Sequence, residues 1–259
     1  LYEMRKGTGA TTLFCVHGYY GEIIEFRDLL PHLDNAHNLV GLNFSGNPND
    51  LSADINTLDK LVAKYADEMI QYQPTGKFHL LGYSIGGIYA FEVARKLKER
   101  GREVGLLCML ETDPSPALTE TERSEWLRNF HLIQTLYHIK SLQFISPFKW
   151  PEYLAMRLKA MSILIRRKFQ PKATEPTAEV LNHSGFLISL VTAHILTPSQ
   201  IEIDYLSSPA FPKVYCNIWK RYARGGVRRH RVKGAHDELL RGANASPIAK
   251  LINELLIRR

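Results

Sequence analysis

The stretch that decides the fold of this chain reads Lys77-Phe78-His79-Leu80-Leu81-Gly82-Tyr83-Ser84-Ile85-Gly86-Gly87. Residues 82–86 match the pattern G-x-S-x-G, which alone is a weak signal in 259 residues. Here, however, an apolar strand from Lys77 to Leu81 leads into the motif, and a helical pattern from Ile85 to Arg100 follows it. That setting is typical of a nucleophile elbow, whose tight turn strains the serine backbone and lifts the hydroxyl above the edge of a sheet. We therefore predict that Ser84 is a nucleophile; the alternative is an incidental serine in a glycine-rich turn.

Strands and helices alternate on both sides of this motif. The predicted strands are Thr11–Val16, Asn38–Phe44, Lys77–Leu81 and Val104–Leu110, and the predicted helices between them are Glu25–Leu33, Ser52–Tyr72 and Ile85–Arg100. Such alternation indicates βαβ units and a parallel sheet, so the chain is predicted to have an α/β fold.

The alternation stops at Pro114-Ser115-Pro116. Residues 118–205 show no good strand and two helical patterns, Glu122–Ile139 and Glu152–Phe169, so we expect an inserted helical lid. Sheet signals resume at Lys213–Trp219 and Arg228–Val232, and a last helix is expected at Pro247–Ile257. Residues 1–259 are therefore interpreted as one domain that carries the lid within it.

A serine nucleophile needs a base, and His236 has the best context for that role. It follows a predicted strand and Gly234, just before the last helix. His183 and His194 fall in the inserted segment, and His230 lies within a predicted strand. The alternative for His236 is a surface histidine beside Asp237.

The acid that orients the base has two candidates. One common position for this acid follows the last strand but one. Lys220 to Val232 contains no Asp or Glu, so that position offers no candidate. After the strand that follows the nucleophile helix, Glu111 comes first and Asp113 stands two residues further on, before Pro114. Glu111 is the preferred acid and Asp113 the alternative, and either gives the chain order serine, acid, histidine of α/β-hydrolases.

An oxyanion hole is expected from backbone N–H groups rather than side chains. The first is the amide of Ile85, where the helix N-terminus adds partial positive charge. The second follows the first buried strand, and Tyr19 is the residue expected there. His17 is interpreted as a structural residue of that loop.

The composition and the first residues of the chain argue against several other classes of protein. The chain is 45% hydrophobic and 23% charged, too apolar for a disordered protein, and no run approaches the roughly 20 apolar residues of a membrane span. It begins Leu1-Tyr2-Glu3 without a basic head and apolar leader, so a cytoplasmic protein is expected, and the absence of an initiator Met suggests a domain cut from a longer polypeptide. Cys15, Cys108 and Cys216 lie in apolar, strand-like runs without metal-ligand spacing, which predicts buried reduced thiols and no metal site.

These features together resemble the thioesterase domain of nonribosomal peptide and polyketide synthases, over nearly the whole chain. The segments that carry the resemblance are Leu13-Phe14-Cys15-Val16-His17-Gly18, His79 to Gly87 with Ala90-Phe91-Glu92-Val93-Ala94, Leu110-Glu111-Thr112-Asp113-Pro114, and Gly234-Ala235-His236. Where that family usually has Asp as the acid, this chain has Glu111.

The resemblance implies an α/β-hydrolase fold and a two-step acyl transfer. Ser84 would take an acyl, peptidyl or polyketide chain from the phosphopantetheine of a carrier protein. Water would then release an acid, or an internal nucleophile would close a ring. It implies no cofactor bound by the domain itself. A free-standing editing thioesterase and a catalytically silent binding module are the alternatives.

The net charge of +7 is concentrated near the end of the chain, where residues 213–259 contain 12 basic and 3 acidic side chains. Seven basic and no acidic residues fall between Lys220 and Lys233. No recognition-helix or aromatic pattern for nucleic acid accompanies them. They are interpreted either as a solvated strand edge or, through Arg228, Arg229 and Arg231, as a docking surface for an acidic carrier protein.

Overall fold

Seven strands form one sheet in the part of the chain that the computed structural model describes, residues 1–44, 55–144, 146–155 and 183–259. They are β1 (Tyr2–Arg5), β2 (Thr12–Val16), β3 (Asn38–Leu42), β4 (Phe78–Tyr83), β5 (Val104–Leu110), β6 (Glu202–Ser207) and β7 (Gly226–Arg231). Their order is β1-β3-β2-β4-β5-β6-β7, with β1 antiparallel to β3 and all other neighbours parallel. The predicted α/β architecture with a mostly parallel sheet is confirmed.

Helices cover both faces of this sheet and bury their apolar sides against it. Those of ten or more residues in the described ranges are α1 (Leu58–Tyr72), α2 (Gly86–Glu99), α3 (Glu120–Ser141), α4 (His183–Thr192), α5 (Lys213–Tyr222) and α6 (Ala245–Ile257). Short 3-10 turns occur at Ile24–Phe26, Leu30–His32, Ser115–Ala117, Leu142–Phe144, Pro147–Lys149, His236–Glu238 and Gly242–Asn244. Helices α1, α2 and α5 share the core on one face, and α6 packs on the other.

Two predicted helices in the first half differ from the structure. Helix α1 begins at Leu58 because Thr57 is its N-cap, with a side chain that accepts a hydrogen bond from the Lys60 amide. Residues 52–54 of the predicted helix lie outside the described residues, as does the predicted loop at 45–50. The predicted helix Glu25–Leu33 is instead two 3-10 turns, the second with Pro31 among its first residues.

The sequence interpretation was wrong at two elements of the second half. Lys213–Trp219 was predicted as a sheet element but lies in α5, which buries Tyr215, Ile218, Trp219 and Tyr222 at helical spacing. Strand β6 lies in the stretch where no strand was predicted. It carries the acidic Glu202 and Asp204, which obscure its apolar pattern. Both pair with Arg228 and Arg259, and Asp204 is completely buried.

The inserted segment is mainly helical where it is described, although residues 193–201 form a turn and irregular chain. Helix α3 contains the predicted Glu122–Ile139 and starts with a capping box between Thr119 and Glu122. Of the predicted helix Glu152–Phe169, residues up to 155 are helical and the rest lie outside the described residues. Strand β6 starts at Glu202, within the limits 118–205 that were predicted for the insertion.

The three cysteines are buried free thiols, as predicted, although Cys216 lies in α5 rather than in a strand. Burial raises the pKa of the Cys15 and Cys216 thiols. Among the described residues, no helix has the length and apolar character needed to cross a bilayer.

Candidate active site

The turn after β4 holds Ser84 in a strained conformation at the carboxyl edge of the sheet. Its φ is 55°, a left-handed value that non-glycine residues rarely adopt, and its amide donates a hydrogen bond to the carbonyl of Leu110 at 2.9 Å. Helix α2 starts two residues later. This strand–turn–helix geometry is the one that the G-x-S-x-G pattern predicts.

The glycines of the motif are required by close contacts. A Cβ atom on Gly82 would lie 2.6 Å from the carbonyl oxygen of Gly86, and one on Gly86 would lie 2.6 Å from the carbonyl oxygen of His17. On Gly87 it would lie 1.9 Å from Oγ1 of Thr112. The start of α2 therefore packs directly against the loops that follow β2 and β5.

His236 lies between Ser84 and Glu111 and is hydrogen bonded to both. Its Nε2 is 3.1 Å from Oγ of Ser84, and its Nδ1 is 2.9 Å from Oε2 of Glu111. The imidazole stacks on Tyr83, at 5.1 Å between ring centroids, and on Phe211 at 5.7 Å. The Tyr83 hydroxyl also donates to the backbone carbonyl of His236. These contacts hold the ring in one orientation, with Nε2 directed at the serine.

Glu111 comes directly after β5 and is almost completely buried, with 1% of its surface exposed. Its φ is 43°, so the backbone is strained here as at Ser84. Oε1 accepts a hydrogen bond from the Ser208 amide at 2.8 Å, which leaves Oε2 for His236. The carboxylate is therefore held by the ends of two neighbouring strands, β5 and β6.

Asp113, the alternative acid, makes different contacts. Its Oδ1 accepts a hydrogen bond from the Ser115 amide at 2.8 Å, at the start of a 3-10 turn. Among the described residues it makes no hydrogen bond with His236, although it lines the same cavity. Burial raises the pKa of its carboxyl to about 6.

The two amides predicted for an oxyanion hole belong to loops that meet beside Ser84. Ile85 is the N-cap residue of α2, and Tyr19 lies in the loop after β2, whose His17 carbonyl approaches Gly86. His17 anchors this loop: it is fully buried, and its Nε2 is 2.8 Å from the hydroxyl of Tyr65. Burial lowers the pKa of His17 to about 4, which keeps it neutral and agrees with a structural role.

Sequence reasoning missed Glu25, which packs beneath the Tyr19 loop. A Cβ on Gly18 would lie 2.4 Å from its Oε1, an inaccessible oxygen without a hydrogen bond to any described residue. Burial raises the pKa of Glu25 to about 7, while His236 and Arg241 oppose that rise. The residue falls in a segment that was predicted to be helical, and its charge alone gave no signal of this contact.

A cavity of about 250 Å³ opens at Ser84 and His236. Besides these two residues, its described lining consists of Glu111, Asp113, Tyr137, His138, Phe211, Pro212, Tyr215 and Asp237. Tyr137 and His138 come from α3, so the inserted segment forms one wall. The aromatic residues of α5 and of the loop before it were missed because that segment was interpreted as a strand.

The three candidate docking arginines of β7 do not form one surface. Arg228 pairs with Glu202 and Asp204, and Arg229 donates a hydrogen bond to Oγ of Ser207 at 2.9 Å. Because side chains alternate along a strand, Arg228 projects to the opposite face from Arg229 and Arg231. Arg231 is exposed.

The described residues contain no group of three or more His, Cys, Asp or Glu side chains placed to hold a metal ion.

Comparison with known proteins gives one family. Residues 11–256 match the model of the thioesterase domain. The chain is 29% identical over 248 residues to malpinin synthetase of Mortierella alpina, a match covering 94% of this chain and 3% of the synthetase. It is 35% identical over 114 residues to enterobactin synthase component F of Escherichia coli strain K12, covering 44% of this chain and 9% of that protein.

A solved structure shares the fold over the same range. The NocB thioesterase domain, in covalent complex with a fluorophosphonate nocardicin G analogue, superposes with a TM-score of 0.64 at 20% identity, covering 96% of each chain. The expected α/β-hydrolase fold is thereby confirmed. The chain thus spans a small part of each of the two synthetases and nearly the whole of a separately solved domain.

Proposed function

Because the chain belongs to the thioesterase domain family, we propose that it is a serine thioesterase that releases an acyl, peptidyl or polyketide chain from the phosphopantetheine of a carrier protein. The observation that carries the proposal is the hydrogen-bonded series Ser84–His236–Glu111 at the mouth of a cavity. The similarity to malpinin synthetase and to enterobactin synthase component F supports a carrier-bound substrate.

The first half-reaction forms an acyl-serine. Nε2 of His236, 3.1 Å from Oγ, accepts the Ser84 proton as the oxygen attacks the thioester carbonyl. The amides of Ile85 and Tyr19 are the proposed donors to the oxyanion, next to the positive end of α2. When the tetrahedral intermediate collapses, His236 returns the proton to the departing thiol.

The second half-reaction reverses these roles. His236 takes a proton from water, or from an internal hydroxyl or amine of the acyl chain, and that nucleophile attacks the acyl-serine. The products are a free acid or a ring, and Ser84 regains its proton. Throughout, the carboxylate of Glu111 accepts a hydrogen bond from the Nδ1–H of His236, which fixes the tautomer and stabilises the imidazolium.

Two further assignments belong to the proposal. The inserted segment, from residue 118 to the start of β6, acts as a lid, because α3 supplies Tyr137 and His138 to the cavity wall. The domain binds no cofactor of its own and acts in a reducing, cytoplasmic setting, which three free buried cysteines favour.

A fluorophosphonate probe tests the nucleophile, since it phosphonylates a serine activated by a neighbouring base. We expect the wild type to be labelled, Ser84→Ala to be unlabelled, and the control Ser124→Ala, on the exposed side of α3, to be labelled like wild type. A folded wild type that resists the probe would instead indicate a silent binding module.

Mass spectrometry with an acylated carrier protein tests the reaction. The expected species is an acyl adduct on the peptide that contains Ser84, followed by a free acid or a ring. Preferential release of short, incorrectly loaded acyl groups would identify an editing thioesterase rather than one that releases finished chains.

A further inference from the structure

Asp113 is a carboxylate in the wall of the active-site cavity for which the proposed reaction has no use. It lines the same cavity as Ser84 and His236, but Nδ1 of His236 donates its hydrogen bond to Glu111 and not to Asp113. Its position therefore calls for an explanation other than orienting the base.

The local structure does not require its charge. Oδ1 accepts a hydrogen bond from the Ser115 amide at 2.8 Å and so opens the 3-10 turn Ser115–Ala117. The carbonyl oxygen of an asparagine would make that bond equally well. Burial instead opposes the charge, since it raises the pKa of Asp113 to about 6, partly offset by hydrogen bonds from Ser115 and Tyr215 and by the positive charge that His236 can carry. At neutral pH the fold thus keeps a disfavoured anion beside the nucleophile.

The cavity has no permanent cation among its described lining residues that would balance this charge. Its described lining has the carboxylates of Glu111, Asp113 and Asp237 and neither Lys nor Arg. Glu111 is already paired with His236 and with the Ser208 amide. A partly buried anion in such a wall is most stable when a ligand brings the opposite charge.

We propose that Asp113 is a specificity-determining residue that binds a protonated amine on the acyl chain carried by Ser84. This inference rests on the proposed thioesterase function and defines its substrate class as acyl groups that bear an ammonium.

The surrounding side chains suit such a group. Phe211 and Pro212 provide apolar surface for the methylenes of the chain, and the rings of Tyr137 and Tyr215 offer faces that attract a cation. A cavity of about 250 Å³ limits the enclosed part to a short segment, so the ammonium is expected within a few carbons of the thioester carbonyl.

Paired N-acetylcysteamine thioesters test the inference. Each pair has an ω-amino acyl group and the acyl group in which a methyl replaces the ammonium: 3-aminopropanoyl with butanoyl, 6-aminohexanoyl with heptanoyl, and 8-aminooctanoyl with nonanoyl. The readout is the ratio of kcat/KM within each pair, for the wild type, Asp113→Asn and the control Glu120→Gln. Glu120 is an exposed acid at the start of α3, outside the cavity.

For at least one of the two shorter pairs, we expect the wild type to prefer the amine by about tenfold to a hundredfold, the range of a hydrogen bond between charged groups. Asp113→Asn keeps the bond to Ser115 and should reduce this ratio to about 1, whereas Glu120→Gln should preserve it. A wild-type ratio at or below 1 for every pair would overturn the inference. So would an equal loss on both members of a pair in Asp113→Asn, because that outcome indicates a purely structural residue. If folded wild type hydrolyses no thioester of any pair and is not labelled by the fluorophosphonate, the thioesterase function itself is overturned.

Discussion

Replacing Glu111 with Gln removes the negative charge beside His236 and preserves the shape of the side chain. The amide oxygen of Gln can still accept the 2.8 Å hydrogen bond from Ser208, which directs the NH₂ group at Nδ1 of His236. Nδ1 must then act as an acceptor, so the imidazole proton moves to Nε2 and faces Ser84. A histidine in that tautomer cannot accept the serine proton.

The corresponding change in a serine protease of another fold lowers kcat by about 10⁴-fold, which is about 5 kcal/mol of transition-state stabilisation. We expect a loss of the same order in Glu111→Gln. Glu111→Asp shortens the side chain by one C–C bond, about 1.5 Å, so its carboxylate cannot span Ser208 and His236 together. A misplacement of that size is expected to lower the rate by roughly 10²-fold.

The measurement is the acylation rate of Ser84. It is obtained by stopped-flow detection of the thiol that acylation releases from a neutral N-acetylcysteamine thioester. Asp113→Asn is the matched control, since it removes a carboxylate from the same cavity without a hydrogen bond to His236. We expect it to lose less than about tenfold with this neutral substrate, because the orientation of the base is unaffected. A Glu111→Gln enzyme that retains a tenth of the wild-type rate, or an Asp113→Asn enzyme that loses a thousandfold, would refute the assignment of the acid.

Two other predictions concern the basic strand and Glu25. Arg231→Gln should raise KM for a carrier-bound substrate but not for a small thioester. The control Arg258→Gln, just after the exposed end of α6, should change KM for neither substrate. An equal effect of Arg231→Gln on both substrates would contradict docking at β7. Glu25→Gln should gain thermal stability relative to wild type between pH 5 and pH 8. The pKa of Glu25 is raised from 4.5 to about 7 in the fold, so the unfolded chain loses its proton first and wild-type stability falls over that window. Parallel Tm profiles of the two proteins would exclude this burial effect of Glu25.

Much of the site could be predicted because it depends on short-range patterns. The position of Ser84 follows from a strand, a glycine-rich turn and a helix that are contiguous in the chain, and the structure has that turn. Glu111 and His236 were expected because each lies in the segment that follows a strand of a parallel sheet, and such strand ends meet at one edge. Their catalytic roles stay predictions until the variants are measured.

The errors occurred where tertiary contacts compensate for an unfavourable local pattern. Strand β6 was missed because Glu202 and Asp204 look like loop residues until Arg228 and Arg259 pair with them. Helix α5 was taken for sheet because its apolar residues Val214, Tyr215 and Cys216 are consecutive, although burial in the fold follows helical spacing.

The sequence by itself determined the fold class, the nucleophile elbow, the histidine expected to act with Ser84 and two candidates for the acid, because periodicity and turn chemistry are properties of neighbouring residues. Only the tertiary structure decided which carboxylate contacts His236. Glu111 and Asp113 are two residues apart, and the choice depends on the Ser208 amide, which approaches Glu111 from a strand 97 residues further along the chain. The tertiary structure also places Glu25 beneath the Tyr19 loop and Asp113 in the cavity wall. Sequence could not show either, since the surroundings of a charge depend on segments that are distant in sequence.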